Sequence, residues 1–132
     1  MNFHTLATCA AMLSLPFGAG FLLLPVPSAA LYGASLADPG TQLLGRYFGS
    51  EILMYAAAAW SLRALRDAGA QRRGAAWIAA ATAAGLAVTL LGLRDGTLTA
   101  LGWSSVALYG AFAAGWLRLA LRPALPRVAD VR

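Results

Sequence analysis

The sequence contains no lysine, a single cysteine, Cys9, and a single histidine, His4. One cysteine excludes an intramolecular disulfide and a paired-thiol redox relay. One histidine close to the N-terminus leaves no ligand set for a histidine-based zinc site or a bis-histidine haem, and it makes a Ser-His-Asp triad implausible. No G-x-x-x-x-G-K-[ST] phosphate loop occurs. We therefore predict no metal site, no resident cofactor and no enzyme of a common membrane class.

Charged residues are also scarce, at 11% of the 132 residues, whereas 60% are hydrophobic. A soluble domain carries roughly 25% charged residues. All ten basic residues are arginines, and the net charge is +5. The arginines lie where apolar segments end and not on a polar face with stacking aromatics, so we predict no nucleic-acid binding. The composition indicates one domain, residues 1–132, with the lipid bilayer as a partner.

Four apolar runs are each close to the 20 or so residues that a membrane-spanning helix needs. Lipid cannot satisfy the backbone of open strands, which excludes a spanning sheet. We therefore predict an all-α fold, a bundle of four transmembrane helices over residues 4–24, 41–62, 75–93 and 98–121. An alternative treats the first run as a signal peptide cleaved near Ala30, although it lacks a basic start. For residues 28–40, an interfacial helix and an irregular loop both remain open.

The distribution of arginines predicts the orientation, because cytoplasmic loops collect basic residues. The connection after the second run contains four arginines and the C-terminal end four more, whereas the other two connections hold few. Both termini are therefore predicted to face the cytoplasm. The basic residues concerned are Arg63, Arg66, Arg72 and Arg73 in the middle connection, and Arg118, Arg122, Arg127 and Arg132 at the end.

Small residues on the second run predict how the helices pack. In lipid, helices associate through close small-residue contacts and hydrogen bonds, since lipid tails are as apolar as leucine. Gly45 and Gly49 form a G-x-x-x-G step, and Ala56 falls on the same face at 100° per residue. The four tryptophans fall towards helix ends, which is typical of the aromatic belt at a membrane interface: Trp60, Trp77, Trp103 and Trp116.

Two charged residues stand in the segment "LLGRYFGSEILMY", residues 43–55. Arg46 lies about 7 Å from the start of the run at Thr41, near enough for its side chain to reach the headgroups. Glu51 lies about 15 Å in, where its short side chain cannot reach water. We expect Glu51 to be shielded from lipid and to contact the fourth helix near Tyr109. The candidate polar cluster comprises Arg46, Tyr47, Ser50, Glu51, Ser104, Ser105 and Tyr109.

The order "GFLLLP…ALYG", an early arginine in the second run, a basic loop and "LGWSSVALYGAFAAGW" resembles a group of four-span bacterial inner-membrane proteins that are loosely DoxX-like. The resemblance implies a four-helix fold in the bacterial inner membrane and no established activity or catalytic residue. Some DoxX-like proteins resemble membrane partners of quinone-linked oxidoreductases.

Two functions remain open at this point. The first is a structural or accessory subunit of a membrane complex. The second is a small transporter, or a lipid- or quinone-binding protein, that uses the polar cluster around Glu51 and Arg46. For the first function, the partner is either a second copy of this chain, in a homo-oligomer, or another membrane protein. For the second function, we expect the protein to act as an oligomer.

Overall fold

The computed structural model describes residues 2–122, which form five α-helices and no strand. This confirms the all-α prediction. The predicted cytoplasmic residues Arg127 and Arg132 lie outside the described residues. The helices are α1 (Phe3–Leu23), α2 (Pro25–Leu31), α3 (Pro39–Leu62), α4 (Ala68–Arg94) and α5 (Gly102–Ala120).

The two later helices begin at positions that the apolar runs do not indicate. α4 starts at Ala68, seven residues before the predicted start at 75, because alanine, glutamine and arginine are good helix formers whatever their hydropathy. α5 starts at Gly102 and not near 98, because the preceding backbone is bonded elsewhere. The N–H of Leu98 donates to the Gly92 carbonyl at 3.1 Å, and that of Thr99 donates to the Tyr32 carbonyl at 3.0 Å.

The segment between the first two runs combines both predicted alternatives. A short helix, α2, begins at Pro25, where proline suits the first turn of a helix, and it ends at Leu31. Residues 32–38 then follow an irregular path to Asp38, the N-cap of α3. Asp38 accepts a bond from the Thr41 hydroxyl at 2.8 Å and others from the backbone N–H groups of Thr41 and Gly40. These bonds, chiefly those from Thr41, hold the pKa of Asp38 below its ordinary value.

The long helices pack as two antiparallel pairs. α1 lies along α3, so that Gly18 meets Gly49, and Pro25 at the start of α2 meets Gly45. α4 lies along α5, so that Gly85 meets Tyr109 and Leu93 meets Gly102. Contacts between the pairs are much sparser than contacts within them. The four helices therefore alternate in direction, as short connections between neighbours require.

The pairs meet most closely at one end, where α1 and α4 begin and α3 and α5 end. Trp116 and Leu6, the largest side chains under 2% exposed in residues 2–122, lie there, and the Phe3 and Trp116 rings are edge to face at 5.7 Å. Alanines fill most of the remaining core: Ala7, Ala10, Ala11, Ala59, Ala75 and Ala79. The described core is therefore made mainly of small residues.

The outer surface of the described bundle, in contrast to the core, carries many large apolar side chains. Large apolar side chains are exposed on every long helix, including Leu23 at 68%, Trp77 at 79% and Val88 at 68%. By length and hydropathy, α1 and α4 meet the requirement for crossing a membrane, with mean hydropathies of 1.8 and 1.9. α3 and α5 do not meet it, so two of the four predicted spans have this support. Arg46 and Glu51 account for much of the deficit in α3, since charges dominate hydropathy scales.

Candidate functional site

The helix α3, which carries most of the predicted polar cluster, has two opposite faces. Gly45, Gly49 and Ala56 are buried, and the two glycines lie against α1 and α2. A Cβ atom on Gly49 would lie 2.8 Å from the Gly18 carbonyl oxygen and 2.8 Å from the Phe21 carbonyl carbon. Gly49 is therefore the point at which the backbone of α1 rests on α3, and Gly45 accommodates Pro25 of α2.

Glu51 lies on the other face of α3 and is exposed. The expectation that it would be shielded and contact α5 near Tyr109 is wrong for the single chain. Residue 51 follows residue 49 by about 200° around the helix, so seating Gly49 on α1 turns Glu51 outwards. Within residues 2–122, Glu51 makes no hydrogen bond or ion pair.

The other polar residues of the predicted cluster bond to the backbone and not to one another. Arg46 Nη1 donates to the Leu22 carbonyl oxygen at 3.4 Å, which ties α3 to the end of α1. Ser50 Oγ donates to the Tyr47 carbonyl oxygen at 2.8 Å, and Ser104 Oγ to that of Leu101 at 2.6 Å. Such local bonds satisfy a hydroxyl inside a helix without a partner from another helix. Tyr47 is 59% exposed.

Ser105 and Tyr109 are partly buried on α5, which belongs to the second helix pair. The Tyr109 ring covers Gly85 of α4, where an added Cβ atom would lie 2.8 Å from Tyr109 Cε1. α5 pairs with its sequence neighbour α4, and Tyr109 interacts electrostatically with Tyr32 and with Tyr55 of α3, not with Glu51. The structure does not bring the seven predicted residues together as one site.

Neither of two open grooves on the surface of residues 2–122 is lined by a residue of the predicted cluster. One, of about 330 Å³, runs beside residues 33–37 after α2. The other, of about 310 Å³, lies at the start of α4 beside Arg72, Arg73 and Ala120. Arg72 Nε donates to the Ala120 carbonyl oxygen at 3.3 Å across this groove. Within residues 2–122, no three His, Cys, Asp or Glu side chains converge as a metal site would require.

One end of the bundle concentrates the positive charge. Six of the arginines in the described residues lie where α3 and α5 end and α4 begins: Arg63, Arg66, Arg72, Arg73, Arg118 and Arg122. The opposite end has Arg46 and Arg94 together with Asp38 and Asp95. The guanidinium of Arg63 stacks on the Trp60 ring at 3.6 Å, which keeps that tryptophan at the arginine-rich end.

The sequence did not indicate the polar atoms that the bundle buries. Trp116, assigned by its position to the aromatic belt, is fully buried, whereas Trp60, Trp77 and Trp103 are exposed. Its Nε1 atom and the Tyr55 hydroxyl are both buried without a hydrogen-bond partner in residues 2–122. The Tyr55 hydroxyl lies close to the Trp116 indole and to Thr82, but the hydrogen-bond geometry is not met. A tryptophan near a helix end is compatible with either an aromatic belt or a buried core position. Only the packing of the helices distinguishes the two.

The substitution Tyr55→Phe tests this assignment. An unpartnered buried hydroxyl opposes folding, so its removal is expected to leave stability unchanged or to raise it by up to about 1–3 kcal/mol. The measurement is the unfolding midpoint in mixed detergent micelles, followed by far-UV circular dichroism. Tyr47→Phe, on an exposed tyrosine of the same helix, is the control. A clear loss of stability in Tyr55→Phe alone would mean that the hydroxyl is bonded in the folded protein.

Comparisons of this chain with protein-family models, with curated proteins and with solved structures find no match. Its function is therefore inferred from the arrangement of its own residues.

Proposed function

We propose that this protein is a four-span integral protein of the bacterial inner membrane, with both termini in the cytoplasm, that serves as a structural or accessory subunit of a membrane complex. The observation that carries the proposal is the distribution of residue sizes. Alanine and glycine fill the interfaces, and leucine, valine and tryptophan cover the outside. Lipid accepts that surface, and small residues let the helices approach closely.

The exposure of the two most apolar helices adds support. Only 28% of the apolar stretch of α1 and 17% of that of α4 are buried. The core helix of a globular protein in water would be mostly enclosed, because exposed apolar patches of this extent associate or aggregate. α3 and α5 run alongside α1 and α4, so all four cross the same layer if α1 and α4 do.

The arginine-rich end supports the orientation. In inner-membrane proteins, basic residues near the ends of the spans stay in the cytoplasm. The end with six arginines is also the end at which α1 begins and α5 finishes. The exposed tryptophans Trp60 and Trp77 lie towards this end, and Trp103 lies at the other.

The composition of the core favours the structural role over transport. A transporter, or a lipid- or quinone-binding protein, needs a cavity lined with polar groups inside the bundle. Here alanines dominate the described core, its buried polar atoms are few, such as those of Tyr55 and Trp116, and Glu51 and Arg46 lie outside it. A scaffold subunit needs the opposite: a compact interior and exposed surface for partners.

Reporter fusions test the topology. A fusion after Arg132 and one in the segment 66–71 are both expected to read cytoplasmic, and one at Gly96 periplasmic. The physical reason is the retention of arginine-rich segments on the cytoplasmic side. A periplasmic signal from the 66–71 fusion would overturn the proposed orientation. Loss of the protein from the membrane fraction in alkaline carbonate would overturn membrane insertion itself.

Purification in mild detergent tests the accessory role. We expect a membrane protein to co-purify in fixed proportion, identified by mass spectrometry of the intact complex. Stoichiometric quinone or a transported solute, with no protein partner, would instead favour the second function.

A further inference from the structure

The outward face of α3 has the spacing of a helix–helix seam. We use "the α3 seam" for six of the exposed residues on this face: Leu44, Tyr47, Glu51, Met54, Ala58 and Ser61. Their separations alternate between three and four residues, the a and d spacing of a left-handed coiled coil. The seam is about 26 Å long at 1.5 Å per residue, close to the thickness of the hydrocarbon layer.

A charged residue stands at the middle of this seam. Glu51 is twelve residues into the 24-residue helix, so on the membrane-spanning proposal it lies near the bilayer centre. An acidic side chain there costs about 2.5–3.5 kcal/mol on insertion scales. No group in residues 2–122 compensates it, because Arg46 bonds to Leu22 on the side of α1. A hydrogen-bonding partner from outside residues 2–122 would offset this cost.

We infer that a second copy of this chain covers the α3 seam, in a parallel homodimer about a two-fold axis along the membrane normal. This inference rests on the proposed membrane function, since insertion holds both copies in one orientation. The face is self-complementary in hydrogen bonding. Each copy brings the Glu51 carboxyl as acceptor and, four residues earlier on the same face, the exposed Tyr47 hydroxyl as donor. Under a two-fold axis each such pair occurs twice.

The shape of the seam fits the same partner. Ala58 and Ser61 lie in the half nearest the arginine-rich end, where small side chains allow two helices to approach closely. Leu44 and Met54 supply the larger side chains that pack between turns of a partner helix.

Disulfide cross-linking in native membranes tests the dimer. The background variant is Cys9→Ala, which removes the single, exposed cysteine. Ala58→Cys in this background places a thiol on the seam, and Ala80→Cys places one on an exposed alanine of α4 as the matched control. With copper phenanthroline as oxidant, Ala58→Cys is expected to convert most of the protein to a dimer band. Ala80→Cys is expected to stay monomeric.

A second cysteine position on the seam provides an independent check of the dimer. Ser61→Cys, nearly isosteric and also on the seam, is expected to cross-link as Ala58→Cys does. Equal cross-linking from Ala80→Cys, none from either seam position, or a band with a different protein would each overturn the homodimer. If one seam variant fails to reach the membrane fraction, the cross-linking of the other seam variant tests the dimer. Carbonate extraction tests separately whether the wild-type chain is inserted in the membrane. If the protein is inserted and does not cross-link, the dimer is wrong and the proposed function is unaffected.

Discussion

Gly49→Ala is expected to weaken the pairing of α1 with α3 by about 1–3 kcal/mol or more, the range for overfilling a tight interface. The added Cβ atom would collide with the backbone of Leu22 and would lie 2.8 Å from the carbonyl oxygen of Gly18. Backbone atoms cannot rotate away, so the two helices must separate. Helix propensity acts in the opposite direction, because alanine is better than glycine by about 1 kcal/mol.

Gly110→Ala is the matched control for this result. Gly110 also lies within a helix, α5, and a Cβ atom added there meets nothing within 4 Å. Its unfolding midpoint in mixed micelles is expected to stay the same or rise. Equal midpoints for the two variants would contradict the close approach of α1 and α3.

Trp116→Ala is expected to be the most damaging truncation among the tryptophans, at about 3–5 kcal/mol. Trp116 is fully buried where the two helix pairs meet, and its ring contacts Phe3 of α1. Lipid is as apolar as this core, so the loss comes mainly from packing and from the cavity left behind. The measurement is again the unfolding midpoint in mixed micelles, together with the near-UV circular dichroism that reports aromatic packing.

Trp77→Ala removes the same side chain from a surface position. Trp77 is 79% exposed, so its loss leaves no cavity and is expected to change the midpoint little. Trp116→Phe keeps part of the ring and should fall between the two. Equal effects at positions 116 and 77 would contradict the assignment of Trp116 to the core.

The helical fold could be predicted because each apolar run exceeds the length of a strand and no alternation occurs in it. The ends of the helices could not be predicted in the same way. Hydropathy shows where a chain is apolar, and it does not show where the backbone hydrogen bonds of a helix begin and end. α4 illustrates the difference, since Asp67 caps it through the Ala70 N–H at 2.6 Å, well before the apolar run begins.

The candidate site was harder to predict than the fold. A helical wheel places Gly49 and Glu51 on different faces, and it does not say which neighbour each face meets. The expected contact between Glu51 and Tyr109 assumed that α3 faces α5. Gly49 seats α3 on α1, which turns Glu51 outwards, and Gly85 lies under the Tyr109 ring on α4. Small residues determine how the helices face one another, and a site predicted from polar residues alone does not take them into account.

The division into two helix pairs has a consequence for the order of assembly. The interface between α1 and α3 is formed entirely by the first half of the chain, from residues before the 63–67 connection. N-terminal units generally fold first during synthesis. The first pair therefore has its complete glycine contact while α4 and α5 are still being made. Trp116, which joins the pairs, is among the last of the described residues to leave the ribosome, so joining the two halves is the closing step of folding.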